Sequence, residues 1–140
     1  MTEITLPFPP SVNTYWRTPR KGQLAGMTLL SVAARKFRAD ALRAVGPRRR
    51  IDGRVSVTIV LNPPDRRRRD LDNFSKGVLD ALSHAGVWLD DEQVDRLVLV
   101  RGTVGKPGSA VVVIDEVAKY HPISTGGAAA SLFGSNDGND

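Results

Sequence analysis

The chain contains no cysteine, which excludes disulfides, zinc–thiolate sites and thiol nucleophiles. Two histidines, His84 and His121, are too few for a multi-histidine zinc centre. No 18-residue apolar run is present, and the opening MTEITLPFPP has no basic segment leading into an apolar one. Neither a membrane-spanning helix nor a secretory leader is therefore expected, and the sequence reads as a soluble, cytoplasmic protein. A P-loop, a Rossmann glycine pattern and a G-x-S-x-G elbow are also missing.

What is present is positive charge. The 140 residues carry a net charge of +5 and a pI near 10.1, with 41% hydrophobic and 25% charged residues. That length and balance suit one domain around one core. The excess is mostly arginine, whose planar fork fits phosphate, so a polyanionic partner is expected.

Ile4, Leu6 and Phe8 alternate as a short strand that Pro9-Pro10 stops, which places it at a sheet edge. A loop over 11–26 follows, bearing Asn13, Tyr15, Trp16, Arg17, Arg20 and Lys21. Its aromatics suit stacking on bases, or anchoring of the loop to the core. Thr28 is the expected N-cap of a helix to Val45, with Leu30, Ala33, Phe37, Ala41 and Val45 on one face and Gly46-Pro47 ending it. Val55, Val57, Ile59 and Leu61 alternate as a strand. A second helix is expected over Leu71–Ala85, with Leu71, Phe74, Val78, Leu82 and Ala85 inward. A strand over Val94–Val100, a hairpin turn over Gly102–Ser109 and a strand over Ala110–Val117 complete the pattern. The expected fold is α+β: one domain over 1–117, with a mixed sheet of about four strands and two main helices in the order β-α-β-α-β-β. Residues 118–140, rich in Gly, Ala and Ser with only Leu132 and Phe133 large and apolar, are expected to form a disordered tail.

Chemistry concentrates between Asp65 and Asp91. Arg66, Arg67, Arg68 and Arg69 repel one another unless a polyanion relieves them. Asp70 and Asp72 follow, then Lys76, and Asp90-Asp91 lie beyond the helix. Helix capping accounts for Asp70 or Asp72, and a polar turn accounts for Asp90 and Asp91. Carboxylates beside a phosphodiester, however, need a bridging cation, and Mg²⁺ takes a few such oxygens with water and substrate phosphate. Lys76 either pairs with Asp72 at i, i+4 or offsets charge on a phosphoryl transition state. An EF-hand starting at Asp70 fails at Phe74, Ser75 and Ala81, and a dehalogenase-type phosphotransferase motif fits neither Phe74 nor the arginines. A 15-residue helix is about 22 Å long, so the spacing leaves open whether Asp91 reaches Asp70 within one chain or from a second subunit.

RRRRDLDNFSKGVLDALSHAGVWLDDEQV, Arg66 to Val94, resembles the core motif of RusA-type Holliday junction resolvases, and ITLPFPPSVNTYWR, Ile4 to Arg17, resembles that family's N-terminal segment. The resemblance implies a homodimeric, Mg²⁺-dependent crossover junction endodeoxyribonuclease, with Mn²⁺ able to substitute, acting in recombination or repair in a bacterial or phage-infected cell. It implies Asp70, Asp72 and Asp91 as metal-binding catalytic acids, Asp90 as their helper, Lys76 as the catalytic lysine and Arg69 as a phosphate contact. Asn13 also matches a family position. With Arg66–Arg68, Tyr15, Trp16 and Arg17, these make the candidate DNA-binding set. The competing readings are a non-catalytic basic DNA-binding module and a Mg²⁺-dependent nucleotide or RNA phosphohydrolase.

Overall fold

The computed structural model describes residues 1–117, so the expected tail lies outside the described residues. Strands β1 (Thr2–Leu6), β4 (Val55–Asn62), β5 (Val94–Arg101) and β6 (Ser109–Glu116) form one mixed sheet in the order β1-β6-β4-β5. Between β1 and β4 lie the one-turn helix α1 (Val12–Tyr15), the two-residue strands β2 (Trp16–Arg17) and β3 (Leu29–Leu30), and helix α2 (Val32–Val45). Helix α3 (Ser75–His84) links the parallel strands β4 and β5. The α+β class and the four-stranded mixed sheet agree with the sequence pattern.

Alternation on β4 builds the core. Val55, Val57, Ile59 and Leu61 are at most 1% exposed, while the residues between them are half-buried. Phe37, Ala41 and Val45 of α2 and Val78, Ala81 and Leu82 of α3 join the same cluster. β1 ends at Leu6 and lies at the sheet edge, as a strand running into prolines should. Phe8 leaves the sheet and packs on Phe74 with ring centroids 5.1 Å apart.

Three local expectations are corrected. The first helix starts at Val32, not at Thr28, because Leu29 and Leu30 pair with Arg17 and Trp16 in a short antiparallel ribbon. Ser31 is the cap, its Oγ accepting from the Ala34 N–H at 3.1 Å. The second helix is split into a 3-10 turn at Leu71–Asn73 and α3 proper. Gly102–Ser109 does not close a hairpin, since β5 and β6 lie on opposite sides of β4. That segment crosses the end of β4 instead: Gly102 N–H donates to Leu61 O at 2.7 Å, Thr103 N–H to Asn62 Oδ1 at 3.0 Å and Gly105 N–H to Pro63 O at 2.9 Å. A Cβ at residue 102 would collide with Asn62 Oδ1, so glycine is required at this crossing. Among the described residues, no helix is long and apolar enough to cross a membrane.

Candidate active site

The polypeptide leaves β4 through Pro63-Pro64 and enters the arginine loop. Asp65 shapes that loop: its Oδ1 accepts from the Arg67 N–H at 3.0 Å and pairs with Arg69 Nη1 at 2.9 Å. Arg69, then Arg67, hold its carboxyl below the usual carboxylate range. The Arg69 guanidinium also lies 5.3 Å from the Phe8 ring centroid, and its carbonyl accepts from Arg101 Nη2 at 3.0 Å. Arg69 therefore builds the loop, while Arg66, Arg67 and Arg68 face solvent.

Asp70 and Asp72 come next, both exposed. Asp70 stands at the cap position of the 3-10 turn, yet its side chain caps nothing. Ser11, Asn13, Arg68, Arg69, Asp70, Asn73 and Phe74 line an open groove of about 480 Å³, which joins the N-terminal segment to the arginine loop. A groove of about 510 Å³ at the other end of β4 is lined by Arg48, Arg49 and Arg50, but also by Asp52 and Glu116, and contains none of the candidate site residues.

Lys76 sits in the first turn of α3, exposed, its Nζ 5.7 Å from the Trp16 ring centroid. Asp72 does not take it as an ion pair, nor does Asp80. Trp16 is half-buried, and Asn13 and Arg17 are exposed. Tyr15 is fully buried, so stacking of a base on Tyr15 is excluded. The ring fills the space beside Gly77, where an added Cβ would lie 2.9 Å from two of its carbons. Of the two readings of this loop, anchoring holds for Tyr15.

Asp90 and Asp91 occupy the corner before β5. Capping, considered for Asp70, occurs at Asp90: its Oδ1 accepts from the Glu92 N–H at 2.9 Å. That bond, and then the neighbouring Asp91, hold the Asp90 carboxyl low. The Asp90 Oδ1 thus helps to shape the corner before β5. Asp91 is shifted up, first by burial and then by Asp90; it also senses the Lys76 cation and the Asp80 anion, so it lies alongside α3. Gln93 secures the corner. Its Oε1 accepts from Leu89 and Asp90 N–H, and its Nε2 donates to Ile51 and Gly53 carbonyls at 2.9 Å each.

Within one subunit, then, Asp70 and Asp72 stand at the start of α3 and Asp91 at the start of β5. Among the described residues, no three His, Asp or Glu side chains converge as a metal site. The donor set is oxygen only and sparsely engaged, which suits a hard divalent cation over zinc or copper. Asp80, Arg38 and Gln93 were not singled out from sequence. The only signal for Asp80 is its four-residue spacing from Lys76, and Arg38 reads as solvated charge on a helix surface.

The family described as Endodeoxyribonuclease RusA matches residues 7–114. A protein of Enterobacteria phage HK97 named crossover junction endodeoxyribonuclease rusA is 38% identical over 119 residues, 82% of this chain and 94% of the relative. Proteins of that name from Escherichia coli K12 and Enterobacteria phage 82 are each 40% identical over 117 residues, 81% of this chain and 93% of theirs. With the family model matching residues 7–114 and relatives 38–40% identical along most of its length, the chain belongs to the RusA endodeoxyribonuclease family.

Proposed function

We propose that this protein is a Mg²⁺-dependent endodeoxyribonuclease that resolves four-way DNA junctions by paired nicks, acting as a homodimer. The relatives' names and their phage and bacterial sources support this reading, together with a role in the cytoplasm of a bacterial or phage-infected cell. The observation that carries it is the pair Asp70 and Asp72: exposed, with no capping bond from Asp70, and set between an arginine loop and a lysine that has no ion-pair partner among the described residues.

The basic residues Arg66, Arg67, Arg68 and Arg17 draw the phosphodiester backbone to the groove where Asn13 and Asp70 meet. Asp70, Asp72 and Asp91 would hold Mg²⁺, which when bound would supply Lewis acidity toward the phosphate and the attacking water. Lys76 places its ammonium against the charge that builds on the phosphoryl oxygens as the bond breaks. Trp16, half-exposed beside Lys76, offers a face to an unpaired base at the branch point.

A second subunit completes the acid set. β5 is an edge strand with Leu97 38% and Val100 40% exposed and one row of backbone groups unpaired by the sheet. Two such edges paired antiparallel about a two-fold axis set the start of one β5, beside Asp91, against the end of the other, beside Arg101. Arg101 holds the carbonyl of Arg69, the residue before Asp70. The dimer therefore brings Asp91 of one copy toward Asp70 of the other, and its symmetry matches paired cuts.

Asp70→Asn tests the reading on a labelled four-way junction. Binding should stay within a few-fold of the parent while Mg²⁺-dependent cutting falls by about 10³-fold or more. A variant that cuts normally, or a parent that leaves junction DNA intact with Mg²⁺, overturns it.

A further inference from the structure

Lys76 has a carboxylate four residues away on each side, Asp72 in the 3-10 turn and Asp80 one turn along α3. Partners at i, i+4 normally pair on a helix. Lys76 pairs with neither and rests on the Trp16 ring. The reason at Asp80 is visible. Its Oδ2 accepts from Tyr15 Oη at 2.7 Å and from Arg38 Nε at 2.9 Å, and its Oδ1 accepts from Arg38 Nη2 at 3.0 Å. A guanidinium fork on both oxygens outcompetes a single flexible ammonium, and the two-point grip loses little on binding because the fork is rigid. Arg38 comes from α2, and α2 packs on α3. Both Arg38 and Asp80 have side chains 25% exposed, so the pair is partly withdrawn from water.

We infer that Arg38 is a positioning residue for the nuclease: by occupying Asp80 it keeps Lys76 off that carboxylate and leaves the ammonium free, on Trp16, for the scissile phosphate. The inference rests on the proposed use of Lys76 in cleavage. Remove the guanidinium and Asp80 becomes an available i, i+4 partner, which draws Lys76 along the helix and away from the site. Remove the carboxylate as well and that new competitor is gone, with Asp72 placed as in the parent. The two changes should therefore offset each other, a result that simple loss of a structural tie cannot produce.

The test compares Arg38→Met, Asp80→Asn, their double variant and Lys76→Met in the full chain, reading single-turnover cleavage and junction binding separately. Arg38→Met should lose roughly ten- to a hundredfold in cleavage rate at nearly unchanged binding, the scale of a misplaced catalytic group. Asp80→Asn, whose side-chain oxygen still accepts from Tyr15, should cleave near the parental rate, and the double variant should recover most of what Arg38→Met loses. A double variant no faster than Arg38→Met, or an Asp80→Asn variant equally slow, overturns the inference. Arg38→Lys keeps a cation on Asp80 and should cleave near the parental rate; if Arg38→Met does not fold, a slow Arg38→Lys that Asp80→Asn fails to restore overturns it too. Lys76→Met separates the two levels: if it cuts normally, the proposed role of Lys76 fails, whereas an inactive Lys76→Met with no recovery in the double variant sinks only the role of Arg38.

Discussion

Gln93 is the one buried polar side chain among the described residues, 8% exposed, and all of its bonds are directed at backbone. Two donors and two acceptors meet it, drawn from the corner at Leu89–Asp90 and from the turn at Ile51–Gly53. Replacing it by leucine keeps the bulk and strands four backbone groups in a poorly hydrated place. Gln93→Leu should cost roughly 2–4 kcal/mol of stability, read as a lowered urea midpoint. A loss below about 1 kcal/mol would show that water replaces those bonds readily. Such a residue is hard to see in sequence, since a glutamine between acids and a strand reads as surface. The acids and Lys76 were legible because their spacing is specific. Their partners were not: that Asp90 caps a turn while Asp70 caps nothing depends on backbone angles that spacing does not report.

At the scale of elements, α1, α2 and α3 are tied at one point. Tyr15 from α1 and Arg38 from α2 both bond Asp80 of α3. The Tyr15 hydroxyl is pushed well above its ordinary value of 10.0, first by burial and then by its bond to the Asp80 carboxylate. The neutral form is thus favoured in the folded state. Its contribution to stability is whole below pH 10, the unfolded value, and shrinks as pH rises beyond it. The parent should accordingly lose melting temperature above about pH 10 more steeply than Tyr15→Phe, which has no proton to release there. Parallel pH–melting curves for the two proteins would refute this role of Tyr15. The bodies of α2 and α3 and the β4 strand were readable from period, because a half-buried element writes its buried side into the chain, whereas the single turn of α1 lay within the expected loop. The order of strands was not. A glycine-rich segment between two strands serves a hairpin and a crossing alike, and only the bonds of Gly102, Thr103 and Gly105 to the end of β4 distinguish them. The start of α2 was misread for a related reason: Leu29 and Leu30 fit a helical stripe, yet their backbone serves the ribbon with Trp16 and Arg17.

For the molecule as a whole, the decisive question is whether a cutting site belongs to one subunit or two. Asp70 leads into the 3-10 turn before α3 and Asp91 into β5, and the exposed edge of β5 offers a way for a two-fold axis to bring Asp91 of one copy toward Asp70 of the other. Mixed dimers read this out directly. Let one subunit carry Asp70→Asn and the other Asp91→Asn, purified as a heterodimer through two different tags. If each site lies within a subunit, both sites contain one substitution and the heterodimer is as inactive as either homodimer. If each site takes Asp70 from one copy and Asp91 from the other, both substitutions fall in the same site and the second site is intact. The shared arrangement therefore predicts a heterodimer that nicks one strand of a labelled junction and leaves the opposing strand whole, while both mutant homodimers leave it uncut. Inactivity of the heterodimer, with junction binding preserved, would place each site within a subunit, with Asp91 acting beside the α3 of its own chain.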